Sequence, residues 1–263
     1  MIAGYAWTTG GIGADPALPL EDAKLTAHTA VLAYARALNV WGTSGKIQVA
    51  LPYTSLSGTA RFMGEERERE VSGLHDPVFR LAVNLYGAPA LSFQEFASYQ
   101  QDLIVGVSVA VTPPLGQYDE DKLVNIGNNR WSIKPELGIS QAFGPLAVEL
   151  AAGAIVFTKN DAFLGRTREQ APLFTFQASV VYDFGRGFWG ALTSTYVTGG
   201  QTTVDGERAD DRRDNVRIGG TLTIPVTRHH SVKLYGSTAV HTRRGPDFDV
   251  IGMAWQYRWG AGF

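Results

Sequence analysis

The chain has 263 residues, of which 30 are glycines and only 18% are charged, against roughly 25% in typical soluble proteins. Its formal net charge of −2 excludes a domain-wide basic field, so no nucleic-acid partner is expected. No apolar run reaches the roughly 18 residues of a membrane-spanning helix. The chain also has no cysteine, which suits a protein that crosses an oxidising compartment unfolded.

Alternation of apolar and polar residues with a period of two is the dominant pattern along the chain. The alternating segments run to about ten residues, enough to cross a bilayer as tilted strands, whereas a soluble β-sandwich needs only five or six. We therefore predict an all-β fold, a transmembrane antiparallel up-and-down β-barrel that forms a single domain over residues 1–263. Its twelve predicted strands lie at about 2–9, 25–40, 45–56, 77–86, 100–112, 131–143, 146–158, 173–184, 188–198, 214–225, 231–242 and 248–259.

The connections between the predicted strands alternate in length. Short turns at one end and long polar loops at the other are typical of outer-membrane barrels. Two connections break the pattern, because 87–99 is long where a short turn is expected and 243–247 is short. The short connections are 41–45, 143–145, 184–187 and 225–230, and the long ones are 10–24, 57–76, 113–130, 159–172 and 199–213.

Aromatic side chains gather at the ends of the predicted strands, where the girdles of a membrane barrel meet the two bilayer interfaces. The chain ends on Phe263, and a terminal aromatic residue is typical of outer-membrane barrels. We expect the long loops outside the cell, both termini in the periplasm, and a signal peptide already removed. The expected partners are outer-membrane lipid, lipopolysaccharide and a small solute, and we expect a monomer. The aromatic residues are Trp41, Tyr53, Trp131, Phe143, Phe157, Phe184, Phe188, Trp189, Trp255, Tyr257 and Trp259.

Four stretches carry a family resemblance: NLYGAPALS (84–92), PPLGQYDEDKLVNIGNNRWSIKPELGISQ (113–141), VTGGQTTVDG (197–206) and FDVIGMAWQYRWG (248–260). The GNNRW block inside the second stretch is the most distinctive part. The sequence resembles the meta-pathway phenol-degradation family, a group of outer-membrane channel proteins often encoded beside aromatic catabolism. The resemblance implies one barrel and, by association, passive uptake of small hydrophobic or aromatic compounds. It supplies no catalytic residues.

Charged side chains with the parity opposite to the large apolar residues are expected to face the lumen. Because a charge in a narrow, low-dielectric pore needs a partner, these groups would form cross-lumen ion pairs that stiffen the barrel. Alternatively, their surplus of basic groups would form a constriction that slightly prefers anions, and both interpretations can hold together. The lumen and selectivity candidates are Arg36, Lys46, Arg80, Lys134, Glu136, Glu149, Asp183, Arg217, Lys233, Tyr235, Arg243 and Arg258.

The predicted strand number limits the width of the lumen. Eight-stranded barrels are filled by side chains and sixteen-stranded ones hold an aqueous channel, so twelve strands predict a narrow or gated conduit. Either 10–24 or 113–130 would fold inward as a plug, and the sequence leaves both open. Apolar residues at lumen parity, among them Leu32 and Tyr34, favour amphipathic or aromatic solutes.

Two other function classes compete with a channel. A barrel-borne hydrolase, similar to a lipase, needs a histidine beside a nucleophile or a carboxylate, and the best pair is His241 with Ser237 on the same face. No G-x-S-x-G or H-E-x-x-H motif occurs, so we expect no enzyme, no cofactor and no metal site. A receptor or adhesin without transport would carry much longer loops than 57–76.

Overall fold

Antiparallel strands close into a barrel in the computed structural model, which describes residues 1–11, 20–62, 65–92, 95, 98–245 and 247–260. The first barrel strand pairs with the second and with the last, so the cylinder is closed. The strands are β1 (Ile2–Gly11), β2 (Leu20–Val40), β3 (Thr43–Phe62), β4 (Glu65–Leu74), β5 (Val78–Tyr86), β6 (Leu103–Thr112), β7 (Ser132–Phe143), β8 (Leu146–Phe157), β9 (Asn160–Phe163), β10 (Arg166–Gln170), β11 (Leu173–Gly185), β12 (Phe188–Gly199), β13 (Thr202–Val204), β14 (Glu207–Arg208), β15 (Arg213–Pro225), β16 (His230–Thr242) and β17 (Asp247–Tyr257).

Twelve of these strands build the closed barrel, in agreement with the prediction. Their order around the cylinder is β1, β2, β3, β5, β6, β7, β8, β11, β12, β15, β16 and β17. The predicted all-β transmembrane barrel is therefore confirmed. The described residues contain no helix that is both long and apolar enough to span a bilayer.

β4 and β5 continue one another along the same neighbour, β3. β4 pairs with residues 53–62 of β3, and β5 pairs with residues 45–50 of the same strand. Between them, His75, Asp76 and Pro77 oppose only Leu51 and Pro52, which makes a bulge. Neither proline has an N–H to donate to a sheet ladder, which explains why the pairing breaks at this point.

The prediction of a loop over 57–76 was wrong, because this stretch is the β3–β4 hairpin. Its run of charges, residues 65–70, lies on β4 and alternates between the two faces of that strand. Arg67 and Arg69 stand opposite Ala60 and Gly58. β6 pairs with β5 and not with β4, so β4 has no strand beyond its far edge within the described residues.

The two ends of the barrel differ, as predicted. At the short-turn end, the β2–β3 connection has Trp41 (φ 52°) and Gly42 (φ 86°) in left-handed conformation, as a two-residue hairpin turn requires. At the long-loop end, β9, β10, β13 and β14 form a second small sheet. The two exceptions are also confirmed: residues 87–102 are a long connection at the short-turn end, and 243–246 is short at the other.

Large apolar side chains cover the outer face of the barrel. Leu150, Leu192 and Ile251 expose 54%, 73% and 64% of their surface, as lipid-facing residues of a barrel do. Cross-strand neighbours share a face, and on the inner face small polar groups pair with one another. Thr29 and Thr54 are joined hydroxyl to hydroxyl at 3.0 Å.

The parity of β2 is opposite to the prediction, so the assignment of Arg36 to the lumen was wrong. Arg36 stands opposite Ile47, on the outer face with Leu32 and Tyr34, and those two expose 50% and 41% of their surface. The inner face of β2 is instead lined by alanines, Leu25, Thr29 and Val31. Both faces of β2 are thus largely apolar, and alternation of polarity could not distinguish them.

We expect Leu150→Lys to lower the free energy of unfolding by about 2–4 kcal/mol, because a lysine then meets hydrocarbon. Its matched control is Gln177→Lys on the inner face, where Gln177 stands opposite Ala151, and this variant should unfold near the wild-type midpoint. Urea unfolding in phospholipid vesicles measures both. Equal destabilisation of the two variants would contradict the assignment of faces.

Candidate functional site

The inner face of the barrel carries most of the predicted lumen residues. Asp183 has inward parity and is exposed near the short-turn end, where its Oδ1 accepts a hydrogen bond from the Gly185 N–H at 2.8 Å. Two candidates lie outside the strands: Arg243 is exposed just after β16 and Arg258 is exposed just after β17, so neither is on the inner wall. The other inward residues are Lys46, Arg80, Lys134, Glu136, Glu149, Arg217, Lys233 and Tyr235.

One side of the lumen holds a compact set of ion pairs. Glu136 accepts from Arg80 and pairs with the Lys134 Nζ at 2.6 Å. The Arg80 Nη2 also donates to the Ser108 hydroxyl at 2.9 Å. The cluster borders a cavity of about 360 Å³ that also reaches Glu149. We call Arg80, Ser108, Lys134, Glu136 and Glu149 the ion-pair wall.

The opposite side of the lumen holds cations that rest on aromatic rings. The Arg217 guanidinium lies 4.7 Å from the centre of the Phe248 ring, and the Lys233 Nζ lies 5.4 Å from that of Trp189. Arg217 also donates to the Phe248 carbonyl at 2.7 Å. With Tyr235, which follows Lys233 on the inner face of β16, these residues form what we call the cation–aromatic wall.

The prediction that Trp189 belongs to an interfacial aromatic girdle was wrong. Trp189 stands opposite Thr223 and Asp183, both of inward parity, so its indole faces the lumen. The residue closely follows a short turn, as a girdle residue would, and position along the strand therefore suggested the wrong face. A residue's inward or outward parity could have been taken only from its paired neighbours.

Positive charge is in excess on the inner face. Among the described lumen candidates, five basic residues share the inner face with three acidic ones, of which Asp183 lies at the short-turn end and Glu136 is already shared between Arg80 and Lys134. Among the described residues, no carboxylate lies within ion-pair distance of Lys46 or Lys233. Arg80 and Lys233 are both close enough to Lys46 to repel its charge. The ion pairs thus form one cluster rather than a ladder, and the remaining cations leave a positive field.

Residues 113–131, here called the inward segment, cover the free edge of β4. The Gln117 N–H donates to the Leu74 carbonyl at 2.7 Å. The buried Asp76 carboxylate accepts from the Gly116 N–H at 2.9 Å and from the Asn128 N–H at 2.8 Å. One carboxylate in the strand break therefore holds both ends of the segment.

The inward segment reaches into the lumen. A Cβ added to the inward-facing Gly73 would lie 2.7 Å from the Gln117 side chain, so Gln117 packs directly on the inner face of β4. Ile126 is 5% exposed and borders a cavity of about 280 Å³ whose other walls include Thr29 and Phe248. Of the two predicted plugs, 113–130 thus folds inward. The other, 10–24, falls largely on residues 12–19, outside the described residues.

The GNNRW block ties the inward segment to its surroundings. Asn128 binds Asp76, and the Asn129 Nδ2 donates to the Asn160 Oδ1 at 3.0 Å. The Arg130 guanidinium donates to Gln170 and lies 4.5 Å from the centre of the Phe157 ring. Burial, together with neighbouring arginines, lowers the pKa of Arg130 to about 10. The distinctive block is therefore an anchor between the strand break and the long-loop sheet.

The pair proposed for a hydrolase does not form. Ser237 faces the lumen and accepts a hydrogen bond from the Arg217 Nη2 at 3.1 Å. Between β15 and β16 a bulge falls at Val216 and Arg217, and beyond it His241 stands opposite Val216 on the outer face. The extra residue of the bulge reversed the parity that the sequence suggested.

Comparisons with known proteins agree with this architecture. The model of the family described as "Putative MetA-pathway of phenol degradation" matches residues 9–252. The chain is similar to an outer membrane channel from Pseudomonas putida F1, with 20% identity, a TM-score of 0.78, and coverage of 97% of this chain and 94% of that one. It is also similar to the transport unit of the autotransporter AIDA-I from Escherichia coli, with 10% identity, a TM-score of 0.56, and coverage of 98% and 89%. No curated protein matches the sequence.

We expect Asp76→Asn to loosen the inward segment, since hydrogen bonds to a charged group contribute about 1.5–3 kcal/mol each. Local opening should increase on the order of tenfold. Limited proteolysis of the protein in vesicles, with cleavage sites mapped by mass spectrometry, measures the rate within 113–131. The matched control is Asp121→Asn, an exposed carboxylate of the same segment. Equal cleavage of both variants would show that Asp76 is not the anchor.

Proposed function

The chain belongs to the family described as "Putative MetA-pathway of phenol degradation", and from this premise we propose that it is a passive outer-membrane channel for small hydrophobic or aromatic molecules. The observation that carries the proposal is the lumen, which a closed barrel lines with charged and aromatic groups. Buried charges without a structural partner are costly. Their presence on an inner wall favours contact with water and solute.

The positive field gives the proposed channel a weak preference for anions. Lys46, Lys233 and Arg217 have no carboxylate partner among the described residues, and their charges act at close range across a narrow lumen. The inward segment narrows the path at the long-loop end, where Ile126 and Phe248 line the same cavity of about 280 Å³. The proposed conduit is therefore constricted, and solutes pass it singly and without coupling to energy.

The proposed location is the bacterial outer membrane, with the long-loop end outside the cell and both termini in the periplasm. Lipid and lipopolysaccharide would surround the outer apolar face, and we propose that the barrel acts as a monomer. The separation of His241 from Ser237 across the barrel wall counts against a hydrolase. An adhesin would carry much longer loops. The short connections at one end and the small sheet at the other therefore count against this class.

The proposal is tested by inserting the purified full-length protein into planar lipid bilayers. We expect stepwise insertions with small, ohmic conductance and a chloride-to-potassium permeability ratio of about 2 to 4. Absence of conductance over many verified insertions would reject an open channel. Lipase activity on generic esters that is lost in His241→Ala would instead establish the hydrolase.

We expect single charge changes in the lumen to move the permeability ratio in opposite directions. Lys233→Gln should bring the ratio toward 1, because it removes an unpaired cation. Glu136→Gln should raise it about twofold, since Arg80 and Lys134 then lose their shared carboxylate. Reversal potentials under a tenfold KCl gradient measure both. Glu66→Gln, on the hairpin at the long-loop end and outside the inner wall, is the matched control and should leave the ratio unchanged.

A further inference from the structure

The two walls of the lumen differ in what they leave for a solute to bind. On the ion-pair wall, Arg80 and Lys134 share the Glu136 carboxylate, and Glu149 adds a second negative charge, so two acidic groups balance two basic ones. On the cation–aromatic wall, Arg217 and Lys233 are held by aromatic rings instead. A ring attracts a cation through its quadrupole but does not neutralise it, so both cations keep their full charge for an incoming anion.

The two cation–ring pairs lie at different depths in the lumen. Arg217 on β15 stands opposite Ala239 of β16. Lys233 lies six residues before Ala239 on β16, which is a distance of about 20 Å along the strand. Tyr235 lies between these levels on the inner face and offers both a ring and a hydroxyl. From the long-loop end toward the short-turn end, the wall therefore presents the Arg217 cation, the Tyr235 ring and the Lys233 cation in turn.

We propose that this wall is a two-station path for aromatic monoanions, such as aromatic carboxylates, with an outer station at Arg217 and Phe248 and an inner station at Lys233 and Trp189. The proposal rests on the proposed channel function and names its substrate class. A solute with one ring and one negative charge satisfies both features of each station. A neutral aromatic compound or an anion without a ring satisfies only one.

Details of each station fit a transient ligand. At the outer station, the Arg217 Nη2 is used by Ser237 and the Phe248 carbonyl, but Nη1 has no hydrogen-bond partner, so the guanidinium keeps an unused donor for an anion. At the inner station, Lys46 on β3 adds a second cation, whose field reaches Lys233 across the lumen. Asp183 stands directly opposite Trp189 on β11, at the level of the inner station, and its negative charge weakens the binding of the anion there. Weak binding at successive sites is what conduction requires.

The test compares two anions that differ in the ring, benzenesulfonate and methanesulfonate. A sulfonate presents the same charge as a carboxylate but stays ionised, so it cannot cross the lipid as a neutral acid. Reversal potentials in planar bilayers give the permeability ratio of the two anions. We expect benzenesulfonate to permeate at least as well as methanesulfonate despite its larger size.

Substitutions assign the preference to the wall. Trp189→Leu and Phe248→Leu should each lower the ratio of benzenesulfonate to methanesulfonate about threefold to fivefold, while the chloride-to-potassium ratio stays near the wild-type value. Lys134→Gln is the matched control on the ion-pair wall. It removes the same charge as Lys233→Gln, and it should leave the ratio of the two sulfonates unchanged. Heat-modified electrophoretic mobility verifies that every variant has folded.

A second measurement does not depend on conductance. Benzenesulfonate should shift the indole N–H resonance of Trp189, identified by its loss in Trp189→Leu, and methanesulfonate should not. A conducting channel whose sulfonate ratio is below 1 and equal in wild type, Trp189→Leu and Phe248→Leu would overturn the path and leave the channel intact. A protein that does not conduct but shows the ring-specific shift would retain the anion site and reject the channel. A protein that neither conducts nor shows the ring-specific shift would reject both the channel and the path.

Discussion

The structure depends on the requirement that every backbone N–H and C=O within a bilayer finds a partner inside the protein. The pairing of β1 with β17, from Ile2 opposite Gln256 to Gly11 opposite Asp247, meets this requirement by removing both sheet edges at once. Within the described residues of the main sheet, β4 retains a free edge, and it lies beyond the break in the wall. The inward segment then supplies the Gln117 N–H to the Leu74 carbonyl, so that closure and constriction share one element.

Closure also fixes where the chemistry can lie. Because side chains alternate between the two faces of a strand, each barrel strand contributes only every second residue to the lumen. Glu136 comes from β7 and its partner Arg80 from β5, two strands away. Lys233 and Trp189 are likewise joined across β15, through Thr223. Both walls are products of register between distant parts of the chain.

The sequence was sufficient to predict the barrel, because its period and its turn spacing are local properties. The inward orientation of Lys134 and Glu136 could also be predicted, because apolar and polar residues alternate clearly along their strand. Prediction from the sequence failed at Arg36, because small apolar residues line both faces of β2, and at His241, because a bulge reversed the parity. The role of Asp76 could not be predicted, since its contacts with Gly116 and Asn128 join segments about 40 and 52 positions apart.

The anchoring of the inward segment has a consequence for how such a barrel can discriminate by size. The inward segment is hydrogen-bonded near both ends to the Asp76 carboxylate in the wall. Asn129 and Arg130 also bind Asn160 and Gln170. The segment therefore has no free end about which it could swing as a gate. Moving it would require the wall and the outer sheet to deform together. The inward segment is therefore a fixed constriction of the lumen, and its width is set by the same bonds that hold the wall together.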